Sequence, residues 1–413
     1  MPALRRLSHL AAVALAAGCQ SPTDGGHQAQ ELRALPRPLT VAEQEALAGS
    51  TEFGLALFRT VNASHRGENV VLSPLSATLA LGMALNGASG ATLDSMRRAL
   101  GWGTRPMPEV NDAYRGLLDL LTTLDPAVQF VGSNSIWVRQ EFPVLSAFSS
   151  VNQQTFAATT RMLDFDSPSA ATTINAWVSQ STNGRIPTIV DRVERSDVLF
   201  LINAIWFKGQ WRDQFRASET RPAPFANATG DTTLVPMMHR EQQVRFIGNG
   251  LASGVSLPYG NGAFSMLVLL PQAGHTVEQL VDSLTSDAWR TLATDGLGGS
   301  GGAGTVDLPK FTLAFGQSLR GPLAALGMGI AFTDQADFSR MTSMPVLISD
   351  VKQKSWIDVN EEGTEAAAAT SVSIGVTSAP AGVRVDRPFV FAIRERFSGA
   401  LLFIGKVARL PGG

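Results

Sequence analysis

Apolar residues recur at helical spacing through most of the first half of the chain and gather into strand-length runs through the second, without the regular alternation that builds a parallel α/β sheet. The spacing predicts helices over residues 73–86, 91–100, 108–124, 168–182, 277–291 and 317–326, and strands over 128–138, 198–207, 264–270, 346–359, 389–393 and 400–407. Order is expected to begin at Thr40, where Thr40-Val-Ala-Glu43 has capping-box spacing and precedes an apolar face at Leu47, Phe53, Leu55, Leu57 and Phe58. With 44% hydrophobic and 16% charged residues, the chain can bury a large core. It shows no repeat and no long linker within 40–413, so that span is read as one α+β domain.

The amino terminus has a different character. Arg5 and Arg6 precede a short apolar run that ends in Ala16-Ala17-Gly18-Cys19, the layout of an export signal. The run falls short of the about 20 apolar residues that a helical membrane span needs. Residues 1–18 are therefore read as a signal peptide. Cys19, the single cysteine of the chain, stands where a bacterial lipoprotein signal places the residue that receives lipid, although Leu15 is one position further upstream than the usual leucine. A plain secretory signal in which Cys19 is incidental is the alternative. Residues 19–39 then form a lipidated tether, rich in Ser, Gly, Gln and Pro over 20–38. Such a segment reaches roughly 25 Å. The expected location is the cell envelope or cell surface, through a lipid anchor, with free secretion as the other outcome.

Several function classes lose support on composition and spacing. With 33 basic and 35 acidic residues, nothing electrostatic points to nucleic acid. His9, His27, His65, His239 and His275 are isolated from one another, so no metal site is predicted, and no cofactor. The glycine-dense stretch over 295–305 matches Gly298-x-Ser300-x-Gly302 and Gly296-x-Gly298-x-x-Gly301, but each pattern needs a strand before it and a helix after it. Here the predicted order is the reverse, and the stretch is read as a loop. A hydrolase triad would have to use His65, His239 or His275, and no spacing supports one; His239 is read as packed or at the surface. The chain is not read as an enzyme.

The segment that carries chemical information is Trp356-Ile-Asp-Val-Asn-Glu-Glu-Gly-Thr-Glu-Ala-Ala-Ala-Ala-Thr-Ser371. Glu and Ala favour helix, and on the residues alone a surface helix is the preferred reading. Beyond Thr370 the sequence turns β-branched, however. In an extended strand Thr364, Ala366, Ala368, Thr370, Val372 and Ile374 share one face, and the small or polar Glu365, Ala367, Ala369, Ser371, Ser373 and Gly375 share the other.

This segment resembles the proximal hinge of the serpin family. The resemblance extends over nearly all of residues 40–410, through Asn69-Val-Val-Leu-Ser-Pro-Leu-Ser76, Gly87-Ala-Ser-Gly-Ala-Thr92, Thr182-Asn-Gly-Arg-Ile186, Leu201-Ile-Asn-Ala-Ile-Trp-Phe-Lys-Gly-Gln-Trp211, Val306-Asp-Leu-Pro-Lys310, Asp337-Phe-Ser339 and Asp386-Arg-Pro-Phe-Val-Phe391. It implies the serpin fold: about eight to nine helices around three β-sheets, with an exposed reactive-centre loop over about 361–382. It further implies inhibition of serine endopeptidases as a suicide substrate, in which the cleaved loop enters a sheet as an extra strand and the protease remains as an acyl-enzyme. A non-inhibitory serpin acting as a carrier, chaperone or surface binding protein is the alternative.

Carried over residue by residue, the hinge is Glu361, Glu362, Gly363, Thr364, Glu365, Ala366, Ala367, Ala368 and Ala369. Counts from Gly363-Thr364 forwards and from Pro388-Phe389 backwards both place the scissile bond at Thr377-Ser378. Cleavage after Val376 is the nearest alternative. Ser73, Ser76 and Asn203 correspond to the polar shutter beneath the sheet opening, where Gln353 replaces the family's histidine. Trp211, Lys310 and Glu361 correspond to the breach at the entry point. The small, β-branched Val376-Thr377 suits an elastase-like or subtilisin-like partner. A cysteine protease is a further candidate partner, and a monomer is expected.

Overall fold

A computed structural model describes residues 30–298, 302–364 and 381–412. Its helices are α1 Val41–Ser64, α2 Pro74–Leu85, α3 Gly90–Ala99, α4 Met107–Thr123, α5 Ser146–Phe156, α6 Ala170–Ser181, α7 Val277–Ser283, α8 Ser286–Gly298 and α9 Arg320–Leu323. Its strands are β1 Val70–Leu72, β2 Val128–Arg139, β3 Thr159–Leu163, β4 Leu199–Gln210, β5 Arg221–Ala226, β6 Thr232–Gly248, β7 Ala252–Pro258, β8 Phe264–Pro271, β9 Gly302–Pro309, β10 Phe311–Ser318, β11 Lys352–Val359, β12 Gly363–Thr364, β13 Ala381–Arg384, β14 Phe389–Glu395 and β15 Leu401–Val407.

Local chemistry explains several boundaries. The capping box at Thr40 forms in both directions: the Thr40 hydroxyl accepts from the Glu43 N–H at 3.2 Å, and the Glu43 carboxylate accepts from the Thr40 N–H at 2.8 Å. The single helix expected over 277–291 is instead two. The Ser283 hydroxyl turns back to the Leu280 carbonyl, and the Thr285 hydroxyl accepts from the Ala288 N–H, which starts α8 afresh. The helix expected over 317–326 loses its first two residues to β10, which pairs with β11 from Phe311 opposite Val359 to Ser318 opposite Lys352, and is helical from Arg320 onward, continuing in tight and wide turns to Phe332. The strand expected from 346 begins only at Lys352; Leu347, Ile348 and Val351 line a cavity against Leu81, Ala84 and Leu201. Helix α5 was not expected, since its Ser, Asn and Gln residues hide the stripe that buries Phe148, Asn152, Thr155 and Phe156.

The strands form three sheets. Six run in the order β10-β11-β12-β4-β2-β3, antiparallel except for the β2/β3 edge. The others follow one path, β1-β15-β14-β8-β7-β6-β9-β13, with β5 also on β6. Strand β6 belongs to two sheets: its end, from Arg245 to Gly248, pairs with β7, while its earlier part pairs with β5 and β9. The main core lies between the helices and β8, β14 and β15, which are buried along their whole length. No helix among the described residues is long and apolar enough to cross a membrane.

Strand β15 carries a fully buried cation. The Lys406 ammonium reaches the Glu278 carboxylate of α7 at 2.7 Å and the His65 carbonyl at 3.0 Å. Burial disfavours the Glu278 anion, but the Gly67 N–H, Lys406 and Asn62 outweigh it and hold its pKa below the ordinary value. Glu278→Ala leaves the ammonium unpaired and is expected to cost about 3 kcal/mol. Urea denaturation of variant and parent checks this, with Lys406→Met/Glu278→Leu recovering most of the loss.

Candidate functional site

In the six-stranded sheet β4 is laddered to β2 from one end to the other, and β11 to β10. Among the described residues no ladder joins β4 directly to β11. Of the described residues, only the two of β12 stand between them, with Thr364 opposite Val359 on one side and Gly363 and Thr364 opposite Gln210 and Gly209 on the other.

This wedge is produced by a tight turn after β11. The Asn360 side-chain oxygen accepts the N–H groups of Glu362 and Gly363 at 3.0 and 3.2 Å, and the Asn360 N–H donates to the Gly363 carbonyl at 2.9 Å. The chain then passes so close to β4 that a Cβ on Gly363 would stand 2.1 Å from the Gly209 carbonyl oxygen. Gly209 in turn leaves room for Tyr259, whose ring a Cβ there would meet at 2.9 Å. The buried Thr364 hydroxyl lies 2.7 Å from the Tyr259 hydroxyl. Tyr259 stacks on Trp211 with ring centroids 4.5 Å apart and planes 11° apart.

Trp211 closes the turn from outside. Its indole N–H donates to the Asn360 carbonyl at 2.9 Å, and its backbone N–H to the Glu362 carbonyl at 2.8 Å. The Lys310 ammonium lies 2.9 Å from the Glu361 carboxylate, which also accepts from the Thr220 hydroxyl at 2.8 Å. The structure thus brings Trp211, Lys310 and Glu361 together around one turn. The two neighbouring acids are tuned in opposite directions. Burial raises the Glu361 pKa, but Lys310 and Thr220 outweigh it and the carboxyl sits below its ordinary value. Burial and the charge of Glu361 push Glu362 up, and its Oε2 atom has no hydrogen-bond partner among the described residues.

Further down the seam, the four polar residues singled out by sequence gather at the start of α2. The Gln353 amide of β11 bonds both backbone groups of Ser73, donating to its carbonyl at 2.8 Å and accepting from its N–H at 3.2 Å. The Ser73 hydroxyl donates to the Leu402 carbonyl of β15 at 2.7 Å. The Ser76 hydroxyl donates to Asn203 on β4, and Asn203 donates to Asn134 on β2 at 2.6 Å. Each half of the split sheet is therefore tied to the same helix start.

Glu365 to Ala369, Thr377, Ser378 and Cys19 lie outside the described residues. Sequence reasoning missed Tyr259, Gly209, Asn134, Thr220 and Asn360. Asn360 carried a usable signal, an Asn shortly before Gly at a strand end; Tyr259 lies 105 residues from its partner, and no local pattern marks it. His239 pairs with Asp307 at 2.7 Å, and His65 contacts Glu68 and Gln317. Neither ring bonds to a serine among the described residues, and no cluster of three or more His, Cys, Asp or Glu side chains there could hold a metal.

A family model described as Serpin (serine protease inhibitor) matches residues 48–410. The chain belongs to the serpin family. It is 31% identical to the leukocyte elastase inhibitor of Sus scrofa over 387 residues, covering 88% of this chain and 99% of that protein. Among solved structures, the thermophilic serpin tengpin in its native state is similar with TM-score 0.81 and 29% identity, covering 93% of this chain and 97% of tengpin. Human thyroxine-binding globulin, complexed with thyroxine, is similar with TM-score 0.83 and 25% identity, covering 90% of this chain and 100% of its own. The fold is the expected serpin fold, and the family is one of protease inhibitors and not of catalysts.

The two acids at the turn give a test of the site's electrostatics in this serpin. Glu361, with its folded pKa held below the ordinary 4.5, contributes stability above that pH and loses it as acid carries the pH down through the folded value. Glu362, raised above 4.5, is ionised at neutral pH at a cost that protonation relieves. Glu361→Gln is expected to lower stability at pH 7, screening at the 39%-exposed Lys310 limiting the loss to about 1 kcal/mol, and to flatten the acid dependence. Glu362→Gln is expected to raise the melting temperature at pH 7. Melting curves from pH 3 to 8 check both signs.

Proposed function

We propose that this serpin inhibits elastase-like or subtilisin-like serine endopeptidases as a suicide substrate at Thr377-Ser378. The observation that carries the reading is the wedge itself: Gly363 and Thr364 already occupy the first two positions of a strand between β4 and β11, which share no ladder of their own among the described residues. Continuing that strand gives each new backbone group a partner on both sides.

The chemistry follows from the protease's own nucleophile. Its serine oxygen attacks the Thr377 carbonyl carbon, the bond to the Ser378 nitrogen breaks, and the Ser378 amine leaves with the proton, so that residues up to Thr377 are held as an ester. The freed loop then extends the wedge. At about 0.5–1.5 kcal/mol net per hydrogen bond, a dozen inserted residues release on the order of 10 kcal/mol. A strand of that length spans roughly 40 Å, so the esterified protease is carried along the sheet before water completes hydrolysis. The alternating small residues from Thr364 to Ile374 suit a strand that must slide between two others. The name of the porcine relative, an elastase inhibitor, agrees with the small Val376-Thr377 bait.

Export and lipidation at Cys19 belong to the same proposal and rest on the amino-terminal sequence, where Arg5 and Arg6 precede a short apolar run that ends in Ala16-Ala17-Gly18-Cys19. Cys19→Ala is expected to move the protein from the membrane fraction to the soluble one. Retention on membranes would remove the anchor from the reading.

A second reading, a non-inhibitory carrier, is favoured by one observation. A cavity between α1, α8 and the β14–β15 turn is lined by Leu47, Trp289, Phe397 and the buried Arg394. Burial and neighbouring Arg396 push the Arg394 pKa down to about 10, and its Nε and Nη2 atoms have no partner among the described residues. One similar structure is a carrier, the thyroxine-binding globulin.

Incubation of the folded chain with elastase, subtilisin and trypsin separates the readings. An inhibitor gives a complex with the first two that survives denaturing gels, together with a large gain in thermal stability on cleavage. A carrier gives clean cleavage and no complex. Thr364→Arg, which puts an unpaired charge at a buried position, is expected to convert inhibitor to substrate, and Thr377→Arg to shift preference to trypsin. Trypsin preference unchanged by the second variant would move the bait bond elsewhere.

A further inference from the structure

Four asparagines are followed directly by glycine: Asn86, Asn183, Asn249 and Asn261. Such a pair can rearrange without an enzyme, because a glycine nitrogen has no Cβ crowding it and can reach the carboxamide carbon of the preceding side chain. The fold engages that nitrogen at three of the four. The Gly87 N–H donates to the Ala84 carbonyl at 2.9 Å, the Gly184 N–H to the Ser179 carbonyl at 2.7 Å, and the Gly262 N–H to the Tyr259 carbonyl at 2.6 Å. The Gly250 N–H has no acceptor among the described residues. Gly250 is exposed, and nothing lies within 4 Å of the place where a Cβ would stand.

The turn between β6 and β7 also prepares the other half of the reaction. The Asn249 side-chain oxygen accepts the N–H groups of Leu251 and Ala252, each at 2.9 Å, which folds the carboxamide back over the peptide that joins it to Gly250. Attack on that carboxamide puts negative charge on the same oxygen, where the two N–H groups already point. The Gln272 side-chain amide donates to the Asn249 backbone carbonyl at 3.2 Å. This carbonyl shares its peptide with the Gly250 nitrogen, so the bond draws electron density from that nitrogen and eases the loss of its proton.

We propose that Asn249-Gly250 is a self-modification site, at which the Gly250 nitrogen closes on the Asn249 side chain and converts it to an acid. The Gly250 N–H gives its proton to hydroxide, and the nitrogen forms a bond to the carboxamide carbon of Asn249. The side-chain nitrogen then leaves as ammonia, taking a proton from water. Water opens the resulting cyclic imide. Opening at one carbonyl leaves an aspartyl residue at 249, and opening at the other leaves an isoaspartyl link, in which the main chain runs through the former side chain. The aspartyl product keeps an oxygen for the Leu251 and Ala252 N–H groups. The isoaspartyl product adds a carbon to the main chain just where the β6–β7 ladder ends, after Gly248 opposite Ser253, and β7 is largely buried, so the longer link strains its register. Gln272 is a positioning residue in this chemistry, and the proposal is independent of the inhibitory reading.

The test holds the folded full chain at pH 8 and follows its peptides by mass spectrometry for replacement of the amide by an acid, with fragmentation that separates aspartyl from isoaspartyl products. Conversion at Asn249 is expected to run about tenfold faster than at Asn86, Asn183 or Asn261, where a bound amide must first open. In concentrated urea the four rates should converge. Gly250→Ala has room for its methyl group and should fold as the parent while slowing conversion at Asn249 many-fold. Gln272→Leu should slow it several-fold, and remains informative should Gly250→Ala not fold. Faster conversion at any of the other three asparagines overturns the proposal, since the free Gly250 nitrogen would then not decide the site. So does the same ranking in urea, which would assign the rate to sequence and not to the fold, and so does an unchanged rate in either variant.

Discussion

Two strands that face each other across one sheet without sharing a ladder set the terms for the rest of the structure. Strands β4 and β11 are each fully paired on their outer side, and among the described residues their inner sides are joined only through Gly363 and Thr364. A sheet divided in this way keeps its shape only if something else holds the halves in register. The molecule does this at two levels: the turn around Asn360 with Trp211 and Tyr259 at the top, and the start of α2 lower down. Both holds consist largely of hydrogen bonds and ring contacts, each worth about a kcal/mol net. On the proposed insertion of the loop, the sum over a whole inserted strand outweighs several such bonds.

The lower hold rests on Gln353, where the resemblance implies a histidine, and that has a chemical consequence. Gln353 satisfies both the N–H and the C=O of Ser73 with one side chain, which an imidazole, limited to one nitrogen on each side of its ring, does with more difficulty. Glutamine does not titrate near neutrality, so this tie does not loosen when the pH falls through the histidine range. The pH-sensitive chemistry of the seam lies instead at Glu361 and Glu362, where neighbouring carboxyls are pushed to opposite sides of the ordinary value by the placement of Lys310.

Much of this was legible before any coordinates. The capping box at Thr40 and the Ser73 start of α2 stand where the sequence places them, and Trp211, Lys310 and Glu361, like Ser73, Ser76, Asn203 and Gln353, come together in space, because each is carried by a run with strong local chemistry or by a long family motif. The expectations that failed share a cause. Residues 317–326 have helical spacing, yet β10 wins the first two of them through a long antiparallel ladder, since cross-strand pairing outweighs weak local propensity. Residues 346–351 are apolar enough for a strand but line a cavity instead. Tyr259, Gly209 and Asn134 act through partners distant in sequence, so no periodicity or spacing could have announced them.

By itself the sequence determined the α+β class, the family and the residue types around the seam, because periodicity, capping and motif order are properties of neighbours along the chain. Only the tertiary structure decided that Gly363 and Thr364 stand between β4 and β11, that Tyr259 meets Thr364 there, and that Leu32 bonds to the turn that Tyr259 begins. The contacts with β4, with Tyr259 and with that turn join residues from 105 to more than 200 positions apart, set by how sheets and helices close on one another, and a linear pattern does not encode that distance.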